Sequence, residues 1–173
     1  AAWRKQKHVD RAIWKMAGDL GLIGVTIPEQ YGGQGGTFAH DAVVIEEQKR
    51  VCDSAFPYVP GSVNIPHFLL ESANHEQLLE WMPSIVRGEK IISVAITEPD
   101  AGSDVKTLRT TARSDGDHYV INGSKIFITL GHVSDLCIVA ARTGGEVEKG
   151  ISLIMVDTRN TPGFKVGRIL DKV

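Results

Sequence analysis

Two short segments hold the residues whose types and spacing could do chemistry. The first is Thr97-Glu98-Pro99-Asp100-Ala101-Gly102-Ser103-Asp104. Its glycine lets backbone approach a ligand closely, the neighbouring hydroxyl and amides can donate hydrogen bonds, and Pro99 stiffens the entry, so the segment suits an anionic ligand. The same composition also makes an ordinary polar turn, in which Asp104 caps a neighbouring stretch and Ser103 meets only water. The second segment is Gly123-Ser124-Lys125-Ile126-Phe127-Ile128-Thr129. Read as a strand, its alternation puts Phe127 and Thr129 on one face and Ile126 and Ile128 on the other. An aromatic and a hydroxyl two residues apart could then meet the flat edge of a planar ligand. A strand with Phe127 in a core and Thr129 at its rim fits the same residues.

Other chemistries find no residues to carry them. The sequence has no G-x-G-x-x-G after a strand, no G-x-x-x-x-G-K-[ST], no H-E-x-x-H and no G-x-S-x-G. The run Gly32-Gly33-Gln34-Gly35-Gly36 follows no strand and reads as a connector rather than a phosphate loop. The histidines (His8, His40, His67, His75, His118, His132) share no ligand spacing on one element, and no metal site is expected. Cys52 and Cys137 are too few for a zinc site or disulfide framework and are read as small core residues in a reducing compartment.

The elements that must position these segments change character near residue 90. Before it the apolar spacing is helical: Ile13, Met16, Ala17 and Leu20 form the stripe of a helix over about Trp3 to Leu20, stopped by Gly21. The glycines and Pro28 make Gly24 to Thr37 a loop. Helices are expected over Ala39 to Val51 and, broken by Pro57, Pro60 and Pro66, over Ser54 to Ser72. Leu78, Leu79, Met82, Ile85 and Val86, closed by Gly88, complete a bundle of about four helices. After Lys90 the pattern predicts strands at Ile91 to Thr97, Leu136 to Arg142, Ile151 to Asp157 and Phe164 to Leu170. A three-stranded meander is expected over Thr107 to Thr129, turning at Asp115-Gly116 and Asn122-Gly123. A helical part, residues 1–89, thus precedes a small barrel or sandwich, residues 90–173.

Composition bounds the partners. The 173 residues carry 19 basic against 21 acidic side chains, a formal net charge of −2, and 42% are apolar. No basic cluster marks a nucleic-acid or anionic-membrane surface. The longest apolar runs, such as Ile151 to Val156, fall far short of the roughly 18 residues of a membrane span, and no signal-peptide pattern opens the chain, so a soluble protein is expected.

Taken together, Ile96-Thr97-Glu98-Pro99 through Ala101-Gly102-Ser103-Asp104 and Tyr119-Val120-Ile121-Asn122-Gly123-Ser124-Lys125-Ile126-Phe127-Ile128-Thr129 strongly resemble the acyl-CoA dehydrogenase family, somewhat like its long-chain members. Gly21-Leu22-Ile23-Gly24, Ile27-Pro28-Glu29-Gln30-Tyr31-Gly32-Gly33, Gly150-Ile151-Ser152-Leu153 and Gly167-Arg168-Ile169-Leu170-Asp171-Lys172 fit it too, so the likeness spans nearly the whole chain. It implies an α+β fold: an N-terminal α-helical bundle followed by a small antiparallel β-barrel, without the family's C-terminal four-helix bundle. It implies FAD as cofactor and oxidation of an acyl-CoA thioester to the trans-2-enoyl-CoA. Electrons would leave through an electron-transfer flavoprotein or similar acceptor, from a homo-oligomer, dimer or tetramer. The cell site implied is the cytoplasm if bacterial, otherwise the mitochondrial matrix.

Residue by residue, the resemblance makes Val94, Ile96, Thr97, Gly102 and Ser103 a wall along the flavin ring and its pyrophosphate, with Ser103 also beside the acyl-CoA. Thr129 would face the flavin N5 and O4 edge, Phe127 would pack against the ring system, and Ile128 lies between them. Many members carry Trp at Phe127. Glu98 is read as a structural carboxylate, and no catalytic base is assigned within these residues, since the family's glutamate lies in the C-terminal bundle. The chain alone is therefore expected to lack turnover. Two other readings stay open here: a flavin-dependent monooxygenase of the same fold, and a non-catalytic binding or assembly module.

Overall fold

The computed structural model describes residues 2–144 and 150–170. The chain divides into two compact units, Ala1–Ile92 with Val166–Val173, and Ser93–Lys165. Among the described residues no helix is long and apolar enough to cross a membrane.

The first unit is helical. Instead of one helix over Trp3 to Leu20 there are two, α1 (Ala2–Gln6) and α2 (Arg11–Asp19), separated at Lys7, whose φ is 65°. The break has a local cause. Trp3 Nε1 and Gln6 Nε2 both donate to the Asp10 carboxylate, at 2.9 and 2.7 Å, and that side chain competes with continued helix. The buried face of α2 is also rotated from expectation: Trp14 and Ala17 are buried while Met16 and Leu20 are exposed. Two backbone approaches set that face. A Cβ on Gly18 would lie 2.2 Å from the Arg87 carbonyl carbon, and one on Gly88 would lie 2.0 Å from the Trp14 oxygen.

Helix α3 (Phe38–Arg50) follows the glycine-rich loop, which contains one 3₁₀ turn at Glu29–Tyr31. A π-helical turn, Val59–Asn64, leads directly into α4 (Ile65–Ser72), and Pro66, the second residue of α4, has no N–H to extend the π-helical ladder that ends with Ile65 N donating to Pro60 O. Helix α5 (His75–Val86) opens with a capping box: Gln77 N donates to Asn74 Oδ1 at 2.9 Å and Asn74 N to Gln77 Oε1 at 3.0 Å. Ile23, Ile27, Met82, Ile85 and Val86 are buried with Trp14 to form the core.

The second unit is built on one five-stranded sheet: β1 (Ile92–Ala95), β2 (Thr111–Asp115), β3 (His118–Asn122), β4 (Leu136–Arg142) and β5 (Ile151–Asp157), in the order β1-β4-β2-β3 with β5 also on β4. The β2–β3 hairpin turns at Gly116, whose φ of 66° suits the tight turn. β4 and β5 pair antiparallel throughout, from Leu136 opposite Asp157 to Arg142 opposite Ile151, whereas β2 meets β4 parallel at Thr111 and Arg142. The α+β class stands, but the sheet is mixed rather than antiparallel as expected, because β2 runs alongside β4 in the same direction. β4 is buried on both faces: Cys137 and Val139 pack with Ala95 and Val156, and Ala140 packs with Ala101 and Leu108.

Three strand expectations fail. The meander stops at two strands, and residues 123–129 run as irregular chain. Asn122-Gly123 is no hairpin turn; a Cβ on Gly123 would sit 2.3 Å from Thr110 Oγ1, so glycine there permits a close pass. Residues 164–170 form no strand either, and Phe164 instead packs on the Cys137 cluster. Cys137 is buried as expected, but Cys52 is exposed, at a φ of 54°. Asp171 and Lys172, and most of the connection between β4 and β5, lie outside the described residues.

Candidate functional site

The two chemically suggestive segments are joined in space. Strand β1 delivers Ile96 and Thr97, and a four-residue turn follows with Pro99 at its second position, closed by Ala101 N donating to Glu98 O at 3.3 Å and by the reciprocal bond from Glu98 N to Ala101 O at 2.8 Å. The return chain meets this strand end directly, because Ile126 N donates to Thr97 O at 2.9 Å. Lys125, the residue before, is nearly buried. Its Nζ donates to Ile96 O at 2.9 Å and to Glu98 Oε1 at 2.8 Å.

Glu98 is the centre of this junction. It is 5% exposed and accepts from Arg109 N at 2.7 Å, from Thr110 N at 2.9 Å, from the Thr110 hydroxyl and from Lys125. Burial pushes its pKa up, but the hydrogen bonds from Lys125, Thr110 and the two amides outweigh that and hold it at about 2. A carboxylate so enclosed is too weak a base, and too fully engaged, to abstract a proton from a ligand. The structural reading of Glu98 is correct. Arg142 fixes the loop from its other end, donating from Nε to Leu108 O at 2.6 Å and from the guanidinium to Lys106 O, while its amide donates to Thr110 O.

The predicted site residues sort into outward and inward groups. Gly102, Ser103, Phe127 and Thr129 are exposed, and Thr97 and Val94 are half-buried. A Cβ on Gly102 would meet nothing within 4 Å, so that face of the loop is open. Asp104, as the plain turn reading has it, accepts from Lys106 N at 3.1 Å and starts a 3₁₀ turn at Val105–Thr107. Ile96 packs on the Ala101, Leu108 and Ala140 cluster and Ile128 on the Ala95, Cys137 cluster, so their side chains serve the core and leave only backbone to meet a ligand.

Phe127 departs most from expectation. It does not alternate along a strand; it sits at a φ of 57°, in the left-handed region, with 70% of its surface exposed. For a bulky residue that conformation costs roughly 1 kcal/mol, and an exposed aromatic held there is an outlier of the kind that clusters at ligand sites.

Lys125 has no role legible in the sequence: it stands at the polar edge of the segment, after Gly123-Ser124 and before the apolar Ile126-Phe127-Ile128. Sequence reasoning also missed a buried cluster in the helical unit. Asp41 accepts from Tyr58 OH at 2.8 Å and from Thr26 Oγ1 at 3.1 Å, and Thr26 Oγ1 lies 2.6 Å from His67 Nε2. Burial and the Asp41 bond both push the Tyr58 hydroxyl well above its usual pKa.

Residues 1–89 match the family model for the acyl-CoA dehydrogenase N-terminal domain, and residues 93–173 match that for the acyl-CoA dehydrogenase middle domain. The chain belongs to the acyl-CoA dehydrogenase family. It is 38% identical over 176 residues to the mitochondrial long-chain specific acyl-CoA dehydrogenase of Sus scrofa, covering 100% of this chain and 41% of that protein. It is 36% identical over 163 residues to the short-chain specific acyl-CoA dehydrogenase of Clostridium acetobutylicum, covering 92% and 42%. The crystal structure of acyl-CoA dehydrogenase from Geobacillus kaustophilus aligns at a TM-score of 0.91 and 38% identity, over 99% of this chain and 46% of that one. The chain therefore spans about two fifths of the length of the curated relatives it matches. Family members of opposite chain-length specificity align at similar identity, so likeness alone fixes no acyl length.

Proposed function

We propose that these residues are part of an FAD-dependent acyl-CoA dehydrogenase, with 1–89 as its N-terminal helical portion and 90–173 as its flavin-binding portion. One observation carries the reading: the hydrogen bond between Ile126 N and Thr97 O and the Lys125–Glu98 pair draw two segments distant in sequence into one surface. The residues present fit a flavin. Phe127 offers an exposed aromatic face, and the Ser103 and Thr129 hydroxyls have no partner among the described residues. The open loop at Gly102 leaves backbone amides free to approach an anionic group.

FAD, when bound, supplies the acceptor for the hydride that leaves the β-carbon of the acyl-CoA while a base removes the α-proton. The described chain positions and shields. Phe127 contributes apolar area against a planar ring, Thr129 donates toward its polar edge, and Ser103 donates to a phosphate oxygen. Val94 and Thr97 line the approach along β1, and Ile96 and Ile128 offer backbone groups. The base lies in the part of the relatives that this chain does not span. The partners we infer are an acyl-CoA, an electron-transferring flavoprotein or similar acceptor, and further copies of the chain in a dimer or tetramer. Named relatives are mitochondrial or bacterial, and either setting suits the chain.

The test is anaerobic: the complete flavoprotein, mixed with acyl-CoAs of graded chain length, should lose its visible flavin absorbance with the length it prefers. A flavin that none of them bleaches would overturn the dehydrogenase reading and favour the flavin monooxygenase alternative. An absence of flavin would favour a binding module.

A further inference from the structure

The Glu98–Lys125 pair is hard to explain by stability alone. A buried ion pair roughly breaks even against apolar residues of the same volume, so what such a pair supplies is geometry. Here the geometry is specific. Lys125 Nζ is held by Ile96 O and Glu98 Oε1, Ile126 N is held by Thr97 O, and the next residue is the left-handed Phe127. Beyond it Ile128 is anchored in the Ala95, Cys137 cluster, and Leu130 is again left-handed, at a φ of 65°. A bulky residue keeps an unfavourable φ only where its surroundings fix it from both sides. The ion pair is the fixture on one side and Ile128 is the fixture on the other.

We propose that Lys125, through its ion pair with Glu98, is a positioning residue that holds Phe127 in its left-handed conformation and so sets the aromatic surface against which the flavin rests. The inference rests on the flavin reading above. Glu98 also binds the Arg109 and Thr110 amides, so one carboxylate aligns the return segment with both ends of the Thr97 to Thr110 loop.

The experiment is a double-mutant cycle in the complete polypeptide, read as the dissociation constant for FAD and the visible circular dichroism of bound FAD. Lys125→Met should weaken FAD binding by about tenfold in the wild-type background and by less than about threefold in a Phe127→Ala background. The dichroism of the FAD-saturated Lys125→Met protein should shift toward that of Phe127→Ala. Lys125→Arg, which keeps the charge, should recover most of the affinity. Should Lys125→Met fail to fold, Glu98→Gln, which keeps the size but removes the charge and turns one of the two acceptor oxygens into a donor, takes its place in the same cycle. Lowered thermal stability with unchanged FAD affinity and dichroism, or an affinity loss of equal size with and without Phe127, would overturn the positioning role. If the wild-type polypeptide binds no FAD, the flavin reading itself falls, and this inference with it.

Discussion

Among the described residues each unit buries one carboxylate, and the two are held in opposite ways. Asp41, 1% exposed, is the one fully buried residue of α3, and its partners are neutral hydroxyls from Tyr58 and Thr26. Glu98, 5% exposed, is held by an ammonium, a hydroxyl and two amides. Asp41 ties α3 to segments 15 and 17 residues away within one helical unit. Glu98 ties together the two segments that carry the candidate ligand contacts. A buried acid among hydroxyls is a packing device; one neutralised by a lysine and amides can register distant backbone to within a bond length.

The largest expected effect breaks the Glu98 side of this comparison. Glu98→Leu strands the Lys125 ammonium, the buried Thr110 amide and the part-buried Arg109 amide, and should lower unfolding stability by about 3 to 5 kcal/mol in denaturant titration. Asp41→Asn removes a charge but leaves neutral partners that an amide can still engage, and should cost about 1 to 2 kcal/mol by the same measurement. Equal losses would show that the two sites do the same work.

Acid sharpens the contrast. Glu98 is held at about 2, below the 4.5 of an unperturbed glutamate, so its contribution is complete above pH 4.5 and is lost as pH falls from there toward 2. The shift corresponds to about 3 kcal/mol. Stability measured across pH 5 to 2 should therefore fall, and Glu98→Gln should flatten that fall; an unchanged slope would mean that the carboxylate is not held as described.

The next effect lies at the same junction. Gly123→Ala places a methyl group 2.3 Å from the Thr110 hydroxyl that Glu98 holds, and should cost about 1 to 3 kcal/mol, against nearly nothing for Gly102→Ala, where the space is open. The smallest effect has the opposite sign. Phe127→Asn, a residue that tolerates the left-handed region, should raise stability by up to about 1 kcal/mol while weakening FAD binding. A loss of stability on that substitution would show that Phe127 serves the fold.

Local signals made much of this legible. Helices α3 and α5, strands β4 and β5, and the turn at Gly116 follow from apolar period, β-branched runs and turn residues, and both chemical segments stood out in the sequence. What stayed hidden depends on partners far along the chain. Ser124 to Thr129 has the composition of a strand, yet Lys125 bonds back to Ile96 and Glu98, 29 and 27 residues earlier, and that tertiary pull overrides the alternation. The rotated face of α2 depends on Gly18 and Gly88 meeting backbone, which no period shows. Asp41 carries no sequence signal of its burial, which depends on Tyr58 and Thr26 from 17 and 15 residues away.

If the Gly102 loop and the Phe127 turn form one flavin-binding surface, hydrogen–deuterium exchange of the complete polypeptide, with and without FAD, will show both segments responding to the cofactor. Peptides covering Gly102 to Ser103 and Phe127 to Thr129 should gain protection together, to a similar degree, and lose it together in Lys125→Met. Protection of one segment without the other, or protection confined to residues outside both, would contradict a shared surface.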